Sequence, residues 1–373
     1  MIRPALAILA AVAALALVGA QSALAHGHNS GRGGVVFVQT NEPSGNQIDV
    51  FDRGSDGRLT LAGTYPTGGL GGVAAPGAES DHLASQGSLA LAEGGQTLIA
   101  VNAGSDTVTS FRVHGDRLQL RSIVSSGGQF PASVAVRDRL VYVLNSGGTG
   151  IVQGFWIRGS RLVPISGSAR SLGLANSDPP FFLTSPGQVG FTPDGSKLLV
   201  TTKASTSSID VFSVGPDGRL SATPVVNPSA TPVPFAFTFG SGRLVDGEAG
   251  TSSVTTYVVD AGGTLSDPRS ATDGQTALCW ILRVGDVYYV SNTGSNDLSS
   301  FTVDSGGQPA LLQAVAATTN PGPIDLATSG GYLYAETGTN GTVDEFAVNS
   351  DGTLTSIGTV AGLPPGLEGI AAS

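Results

Sequence analysis

GDVYYVSNTGSNDLSSFTV, residues Gly285–Val303, contains an apolar strand, a tight Asn/Gly/Ser loop and a second strand that ends on an aromatic residue. A first copy of this pattern opens at Val35–Phe51. Further copies are TLIAVNAGSDTVTSFRV (Thr97–Val113), RLVYVLNSGGTGIVQGFWI (Arg139–Ile157), KLLVTTKASTSSIDVFSV (Lys197–Val214), RLVDGEAGTSSVTTYVV (Arg243–Val259) and YLYAETGTNGTVDEFAV (Tyr332–Val348).

The aromatic residue that closes the second strand marks the period of the repeat. These aromatics are Phe51, Phe111, Phe155, Phe212, Tyr257, Phe301 and Phe346. Their successive spacings are 60, 44, 57, 45, 44 and 45 residues. Copies repeated at about 45 residues are typical of a repeat architecture, and four-stranded propeller blades have this length.

Each repeat divides into four short apolar runs bounded by turn residues, which indicates antiparallel strands. We name these strands a to d in chain order. Asp-Gly pairs follow the c strand in three repeats, and such pairs favour hairpin turns because they tolerate positive φ. The sequence therefore predicts an all-β, seven-bladed β-propeller of four-stranded blades over residues 35–373. In the sixth repeat the runs are Leu278–Leu282, Val287–Ser291, Leu298–Val303 and Leu311–Val315.

The first repeat has no a strand, because His26–Gly34 is polar and rich in glycine. The chain ends instead with EGIAA, Glu368–Ala372, directly after the seventh d strand. We predict that this C-terminal strand closes the first blade and so removes the exposed edges of an open array.

Two insertions are expected to mark the functional face. In a meander of four strands, the b–c and d–a loops emerge at the same end of the blade. The two longest spacings come from d–a insertions at Thr67–Gly87 and Ser171–Gly187. Long loops on one end of a rigid scaffold commonly carry function, so we expect the site there.

The N-terminus indicates export. Arg3, the apolar run Ala5–Val18 and the motif Ala23-Leu24-Ala25 predict a signal peptide over residues 1–25. We expect residues 26–34 to be a flexible tail and the mature protein to be soluble, periplasmic or extracellular, and not membrane-bound. Cleavage after Ala25 would expose His26-Gly27-His28, a possible Cu(II) ligand set, although a chance occurrence in a tail is the interpretation we prefer.

The composition of the chain limits the classes of ligand and partner that we expect. The chain has one cysteine, a net charge of −10 and only 12% charged residues. No basic cluster exists to neutralise phosphates, which argues against nucleic acid. No clustered Cys/His/Asp pattern, phosphate-binding loop or G-x-S-x-G elbow is present, so we expect no metal and no other cofactor. We expect a monomer.

The chain resembles the propeller lactonases, a group that includes bacterial 6-phosphogluconolactonase and 3-carboxymuconate cyclising enzymes. The resemblance covers nearly all of residues 35–373 and implies the propeller fold and a small lactone or sugar acid as substrate. The His-containing motif of the active members has no match in this sequence, so the resemblance implies no catalytic residue. Tyr289-Val290-Ser291-Asn292 also resembles the YVTN repeats of surface-layer propellers. The segments that carry the lactonase resemblance are Ser85–Gly95, Ala100–Phe111, Ser185–Lys203, Ile209–Val214, Ala277–Trp280 and Tyr288–Asn296.

The b–c loops supply one set of candidate residues. Alignment six residues before each c strand predicts a ring of Glu42, Asn102, Asn145, Lys203, Glu248, Asn292 and Thr337. Asx-turn formation explains the three asparagines, and ligand binding is the alternative. Turn chemistry does not require Lys203, Glu42 or Glu248. A cation and carboxylates around one mouth could polarise a carbonyl and activate water. Lys203 and Glu248 are therefore predicted to be catalytic, and Glu42 is predicted to bind ligand. The alternative is that all three are solvated charges of the loops.

The starts of the a strands supply a second set that should line the upper channel: Ser88, Ser133, Gln188, Ala236, Cys279, Pro323 and Glu368. Glu368 is the predicted acid or base, because a lone carboxylate near the axis is costly unless it is paired; a structural partner of backbone amides is the alternative. Cys279 is interpreted as a buried filler.

Four further side chains are predicted to bind ligand. Gln86 and Gln188 follow the two insertions, and both could instead cap loop backbone. Trp280 could contact a ligand or pack between blades. His82 lies beside Asp81 on the favoured face, whereas His114 falls in a c–d turn on the opposite face.

Two functions remain open at this point. The first is an exported lactonase-like enzyme that hydrolyses or isomerises a small lactone or sugar acid at the insertion-bearing mouth, with water as nucleophile. The second is a non-catalytic extracellular propeller that binds a protein or glycan with the same face.

Overall fold

The computed structural model describes residues 33–74 and 78–373. The predicted signal peptide, the histidines at positions 26 and 28 and most of the predicted tail lie outside the described residues. From Gly33 to Ser373 the chain forms one compact unit.

The described residues form strands joined by turns and by two longer insertions, with one 3₁₀ turn at Ala103–Ser105. In chain order the strands are β1 (Val35–Gln39), β2 (Gln47–Arg53), β3 (Leu59–Pro66), β4 (Leu89–Ala92), β5 (Thr97–Asn102), β6 (Thr107–His114), β7 (Arg117–Ser125), β8 (Pro131–Arg137), β9 (Leu140–Asn145), β10 (Ile151–Arg158), β11 (Arg161–Pro164), β12 (Arg170–Ser171), β13 (Gln188–Phe191), β14 (Lys197–Thr201), β15 (Ser208–Ser213), β16 (Val225–Pro228), β17 (Pro234–Gly240), β18 (Arg243–Glu248), β19 (Ser253–Val259), β20 (Leu265–Thr272), β21 (Leu278–Val284), β22 (Val287–Asn292), β23 (Asp297–Val303), β24 (Pro309–Thr318), β25 (Pro323–Ser329), β26 (Tyr332–Thr337), β27 (Thr342–Val348), β28 (Leu354–Val360) and β29 (Ile370–Ala372).

These strands form seven antiparallel sheets, which confirms the seven-bladed propeller. Blade 2 contains β4–β7, blade 3 β8–β12, blade 4 β13–β16, blade 5 β17–β20, blade 6 β21–β24 and blade 7 β25–β28. Blade 3 differs from the expected pattern, because its outer edge is split into β11 and β12, which both pair with β10.

Closure of the first blade is also confirmed. Its sheet has the order β29-β1-β2-β3, so the C-terminal strand takes the position of strand a. The paired residues are Val38 with Ile370, Phe37 with Ala371 and Val36 with Ala372. The strand is shorter than predicted and begins two residues after Glu368.

The core lies between the blades and explains the repeated aromatic residue. Seven buried apolar clusters lie between neighbouring blades. The aromatic at the end of each c strand is at most 2% exposed and packs against the preceding blade; Phe155 of blade 3, for example, packs with Ile99 and Val101 of blade 2. One aromatic per repeat therefore fills one interface of the ring, which buries enough apolar surface to hold the blades together.

Both insertions rise over the face that carries the b–c loops, as predicted. Gly104 in the b–c loop of blade 2 donates its amide to Leu70 O of the first insertion, and Ala204 in that of blade 4 donates to Leu183 O of the second. The described part of the chain contains no helix that is long and apolar enough to cross a membrane.

Candidate active site

The end of the first insertion closes the axial channel. Segment Leu83–Gly87, named here the plug, enters blade 2 and contacts five other blades. Its partners are Glu368 (blade 1), Ala132, Ser133 and Val134 (blade 3), Gly187 and Lys203 (blade 4), Trp280 and Ile281 (blade 6) and Asp325 (blade 7). Because these blades surround the axis, the plug must cross it.

A cavity of about 410 Å³ opens beside the plug, between blades 4, 5 and 6 and the two insertions. Its volume is in the range of small-molecule sites. One wall is aromatic, with the rings of Phe235 and Trp280 4.8 Å apart. The charged residues of its lining are Glu79, Asp81 and Lys203. The remaining lining residues are Ala78, Ser80, Phe182, Leu183, Val233, Ala249, Gly250, Ala277, Cys279 and Thr293.

Lys203 lies at the centre of this arrangement. Its side chain is 1% exposed, and its Nζ donates hydrogen bonds to the carbonyl oxygens of Ala84 at 2.6 Å and Phe182 at 2.5 Å. The ammonium also lies 4.9 Å from the centroid of the Phe235 ring, which is cation–π geometry. Burial lowers the pKa of Lys203 to about 8, although nearby Asp81, Cys279 and Glu368 oppose the shift. An ammonium has three N–H donors, so these two carbonyls leave one donor available.

A one-residue offset explains why Lys203 reaches the mouth. Asn102, Glu248 and Asn292 are the last residues of their b strands. In blade 4 the matching position is Thr202, whose amide donates to Ser208 O across the hairpin. Lys203 follows it with φ +47° and so leaves the plane of the blade. The predicted alignment of Lys203 with the asparagines is therefore wrong by one residue. The alignment of Glu42 is wrong by two residues, because in blade 1 the position that matches the asparagines is Thr40, which pairs with Gln47.

Glu368 and Asp81 place two carboxyl groups beside Lys203. Glu368 is fully buried, and its oxygens accept from the amides of Leu83 at 2.6 Å and Ser85 at 3.4 Å. Burial raises the pKa of Glu368 well above its ordinary range, and the Asp81 charge raises it further. Burial raises the pKa of Asp81 to about 6, against the opposing effect of the Lys203 ammonium. Of this pair, Asp81 is therefore the carboxyl group that ionises, and Glu368 is the one whose protonated form burial favours.

The carboxyl group of Asp81 interacts with Glu368 and with the backbone of Ala84 and Ser85. Asp81 Oδ1 is buried and has no hydrogen-bond partner within the described residues. A buried acceptor without a partner is costly, and such atoms are concentrated where a ligand or water completes the site. Asp81 was not predicted as a site residue in its own right, because an insertion carries no repeat pattern from which its direction could be inferred.

Two more carboxyl groups lie behind Glu368. Asp325 accepts from the amides of Gly87 at 3.3 Å and Leu326 at 3.1 Å, and burial raises its pKa to about 7. Glu336 accepts from the amide of Gly369 at 2.9 Å, and burial raises its pKa well above the ordinary range. These groups tie blade 7 to the plug and to the closing strand.

Glu248 lies in a different cluster. Its carboxylate accepts hydrogen bonds from the hydroxyls of Ser229, Thr231, Thr255 and Tyr257, the last two at 2.6 Å. Burial raises the pKa of Glu248, and Asp246, with both oxygens lacking a partner within the described residues, is the nearby carboxyl group. The structure therefore groups Glu248 with Asp246 and not with Lys203.

The three candidate asparagines are engaged by other protein groups, and those of Asn102 come from blades 1 and 2. Asn102 is fully hydrogen-bonded: Oδ1 accepts from Asn46 and Thr67, and Nδ2 donates to Thr107 and Thr109. Asn292 Nδ2 donates to Asp297 and Ser299, and Asn145 Nδ2 donates to the carbonyls of Ser126 and Ile151. None of the three lines the cavity.

Of the remaining predicted ligand-binding residues, only Trp280 lines the cavity. Gln86 and Gln188 cap backbone, accepting from the amides of Ile281 at 3.0 Å and Phe237 at 2.6 Å. Trp280 donates Nε1 to Ser85 O at 2.9 Å and forms part of the cavity wall. His82 packs against Gly366, and burial lowers its pKa against the opposing charge of Glu42.

Cys279 lines the cavity as a protonated thiol, since burial raises its pKa. Phe182 and Phe235 are site residues that the sequence did not reveal. Phe235 is the counterpart of Cys279 in blade 5, because both are the residue skipped where strands a and b change register. The predicted counterpart, Ala236, is one residue further on, so the pattern could have placed Phe235 near the channel. Within the described residues no group of three or more His, Cys, Asp or Glu side chains is arranged to hold a metal ion.

Comparison with known proteins identifies the fold. No protein-family model matches the chain, and no curated protein matches it. Among solved structures, the periplasmic gluconolactonase PpgL of Pseudomonas aeruginosa matches with a TM-score of 0.71 and 19% identity, over 91% of this chain and 98% of that chain. A Bacteroides fragilis protein with a suggested 6-phosphogluconolactonase activity matches with a TM-score of 0.70 and 18% identity, over 92% and 98%.

A Lactobacillus plantarum protein matches equally well, with a TM-score of 0.70 and 18% identity over 91% of this chain and 98% of that chain. These identities show a common fold and do not by themselves assign an activity. The chain therefore has the seven-bladed propeller fold of the 6-phosphogluconolactonase-like proteins.

Proposed function

We propose that this protein is an exported lactonase-like enzyme that hydrolyses or isomerises a small lactone or related sugar acid in the mouth cavity. The observation that carries the proposal is that Lys203 and Asp81, from distant parts of the chain, both line this cavity, with Glu368 buried beside Asp81. A cation and an ionised carboxylate with a free oxygen are the groups that water attack on an ester carbonyl requires.

In the proposed hydrolysis Asp81, Lys203 and Glu368 each have a distinct role. Asp81 takes a proton from a water molecule while the water oxygen adds to the lactone carbonyl carbon. The third N–H of Lys203 stabilises the negative charge that develops on the carbonyl oxygen. The ring C–O bond then breaks, and the leaving alkoxide takes the proton held by Asp81, so that one lactone and one water give one hydroxy acid. Glu368 stays protonated and positions Asp81 and the plug.

Replacement of Lys203 tests the proposal. Lys203→Met keeps most of the side-chain volume and removes the charge, and loss of one oxyanion donor lowers kcat by about 100-fold or more. Lys197→Met is the matched control, because Lys197 lies at the opposite end of blade 4 and donates to Ala261 O. A panel of γ- and δ-lactones that the wild type fails to turn over would reject the proposal.

A non-catalytic binding propeller is the second candidate. It is favoured by the two carbonyl contacts of Lys203, because a lysine that only cross-links the insertions would make the same contacts. Calorimetry distinguishes the two candidates: under the second, lactones or glycans bind to the mouth and are recovered unchanged.

A further inference from the structure

The basic residues of the propeller are distributed unevenly along its axis. Among the residues that the structure describes, Lys203 is the one lysine or arginine that lines the cavity. The others lie in or beside a–b and c–d turns at the opposite end, or on outer d strands: Arg53, Arg58, Arg112, Arg117, Arg121, Arg137, Arg139, Arg158, Arg161, Arg170, Lys197, Arg219, Arg243, Arg269 and Arg283.

Most hydrogen-bond donors at the mouth are already occupied. Lys203 uses two N–H groups on the carbonyls of Ala84 and Phe182, and the plug amides of Leu83 and Ser85 donate to Glu368. A phosphate group carries about two negative charges and needs several donors or cations to replace its hydration. No such set remains beside the cavity in the described residues.

The charge of the cavity also opposes an anionic substituent. Glu79 and Asp81 lie in its lining with a single cation, Lys203. An anionic group bound in the cavity would be repelled by these two carboxylates, and partial burial weakens the screening of that repulsion by salt. A phosphorylated ligand would bring further negative charge against both carboxylates.

The walls and the rim of the cavity are apolar instead. Phe182, Phe235 and Trp280 present ring surface, and Leu183 and Val233 extend it. At the rim, Leu183 is 44% exposed, and the neighbouring Phe181 is 39% exposed. Exposed apolar side chains grouped beside a cavity are typical of a surface that an apolar ligand covers.

We propose that the mouth accepts an uncharged lactone with an apolar alkyl or aryl substituent and rejects phosphorylated sugar lactones. The carbonyl of the ligand lies toward Lys203 and Asp81, and its substituent lies along Phe182 and Leu183. The inference rests on the proposed function for the identity of the reacting group, whereas the charge preference depends only on the cavity.

The test compares substrates on the wild-type protein. We expect kcat/KM for δ-decalactone to exceed that for 6-phospho-δ-gluconolactone by at least tenfold, with unphosphorylated δ-gluconolactone between them. Equal or higher kcat/KM for the phosphorylated lactone would overturn the proposal.

A charge reversal at the rim gives an independent test. Glu79 is exposed, so Glu79→Lys should fold normally and should raise kcat/KM for the phosphorylated lactone by about fivefold, since two unit charges change near the site. Asp286→Lys makes the same charge change at an exposed a–b turn of the opposite end. It should leave kcat/KM for the phosphorylated lactone unchanged. An equal rise in both variants would show that net charge alone is responsible and would contradict the proposal.

Binding separates this inference from the activity. If no lactone is hydrolysed, the proposed function fails, and calorimetry with an alkyl-substituted δ-lactam and with 6-phosphogluconate still decides the preference. Binding of the lactam that weakens at least tenfold in Phe235→Leu supports the proposal. Tighter binding of 6-phosphogluconate, or no binding of the lactam, overturns it.

Discussion

The ammonium of Lys203 donates to the carbonyl oxygen of Ala84 at 2.6 Å, which fastens the b–c loop of blade 4 to the plug. A second bond to Phe182 O holds the other insertion to the same nitrogen. The residue that we propose as the oxyanion donor therefore also joins the two insertions. Its position is fixed before a ligand arrives, which is the preorganisation that electrostatic catalysis requires.

The pKa values of the pair predict a bell-shaped pH–rate profile. Activity should rise with pH as Asp81, with a pKa of about 6, loses its proton. It should fall again as Lys203, with a pKa of about 8, loses its charge. We expect the maximum of kcat/KM near pH 7 in a series of buffers at constant ionic strength.

Asp81→Asn tests the assignment of the acidic limb. The variant cannot accept a proton, so we expect a loss of about 100-fold or more in kcat and no rise in activity around pH 6. Asp286→Asn, at an exposed turn of the opposite end, is the control and should keep the wild-type profile. An acidic limb that persists in Asp81→Asn would assign the base to another group.

Glu248→Gln tests whether the buried cluster of blade 5 takes part in catalysis. The substitution would place an NH2 group against hydroxyls that now donate to the carboxylate, and unsatisfied buried polar groups cost about 1–3 kcal/mol each. We expect a lower Tm and a kcat within about twofold of wild type, because no contact joins Glu248 to Lys203 or Asp81. A large loss of kcat at an unchanged Tm would restore the catalytic role that the sequence predicted for Glu248.

The sequence predicted the scaffold better than the site for a physical reason. Phe51 and its six counterparts each fill one interface between blades. The repeated aromatic residue therefore shows the period of the blades in the sequence. The direction of Lys203 depends on a single residue of offset after the b strand and on a positive φ, and neither leaves a signal in the repeat. Asp81 belongs to an insertion, whose path is set by contacts with five blades and not by periodicity.

Glu368 shows how far positional reasoning extends. Its place at the start of the predicted closing strand predicted a buried carboxyl group, and Glu368 is fully buried in the structure. Its partners, the amides of Leu83 and Ser85, could not be predicted, because they come from the plug. These hydrogen bonds are those expected of the structural alternative, a partner of backbone amides; the acid or base role of Glu368 stays a prediction.

The buried carboxyl group of Asp325 predicts a pH-dependent stability. In the unfolded chain it titrates near 3.8, and burial raises its pKa to about 7 in the folded protein. Between these values the folded state holds a proton that the unfolded state has released, so the free energy of unfolding should fall as pH rises from about 4 to 7. Asp325→Asn removes this contribution.

Denaturant titrations of wild type and Asp325→Asn at about pH 4.5, 6 and 8 measure the effect. The variant should be close to wild type at the lowest pH and gain stability relative to it toward the highest. Asp351→Asn serves as control, because that exposed carboxylate has a lowered pKa and should not gain stability at high pH. A constant difference between wild type and Asp325→Asn at all three pH values would contradict the prediction.

Closure of the ring predicts a position-specific intolerance at Gly369, directly before the closing strand. Gly369 has φ +117°, and a Cβ there would overlap the hydroxyl of Ser88 and lie 3.1 Å from Leu89 Cβ. Its amide and carbonyl are both engaged, with Glu336 Oε2 at 2.9 Å and the amide of Gln39 at 2.8 Å. The backbone therefore cannot shift freely to make room for a side chain.

Alanine substitution at Gly369 and at a matched glycine separates steric overlap from backbone strain. Gly362 is the control, because it also has positive φ (+86°) but no atom lies within 4 Å of the place that a Cβ would take. We expect Gly362→Ala to lower the free energy of unfolding by about 1 kcal/mol through backbone strain alone. Gly369→Ala should lower it by about 3 kcal/mol or more, because overlap adds to strain. Equal losses in the two variants would mean that the closing strand tolerates displacement and that the ring does not depend on this contact.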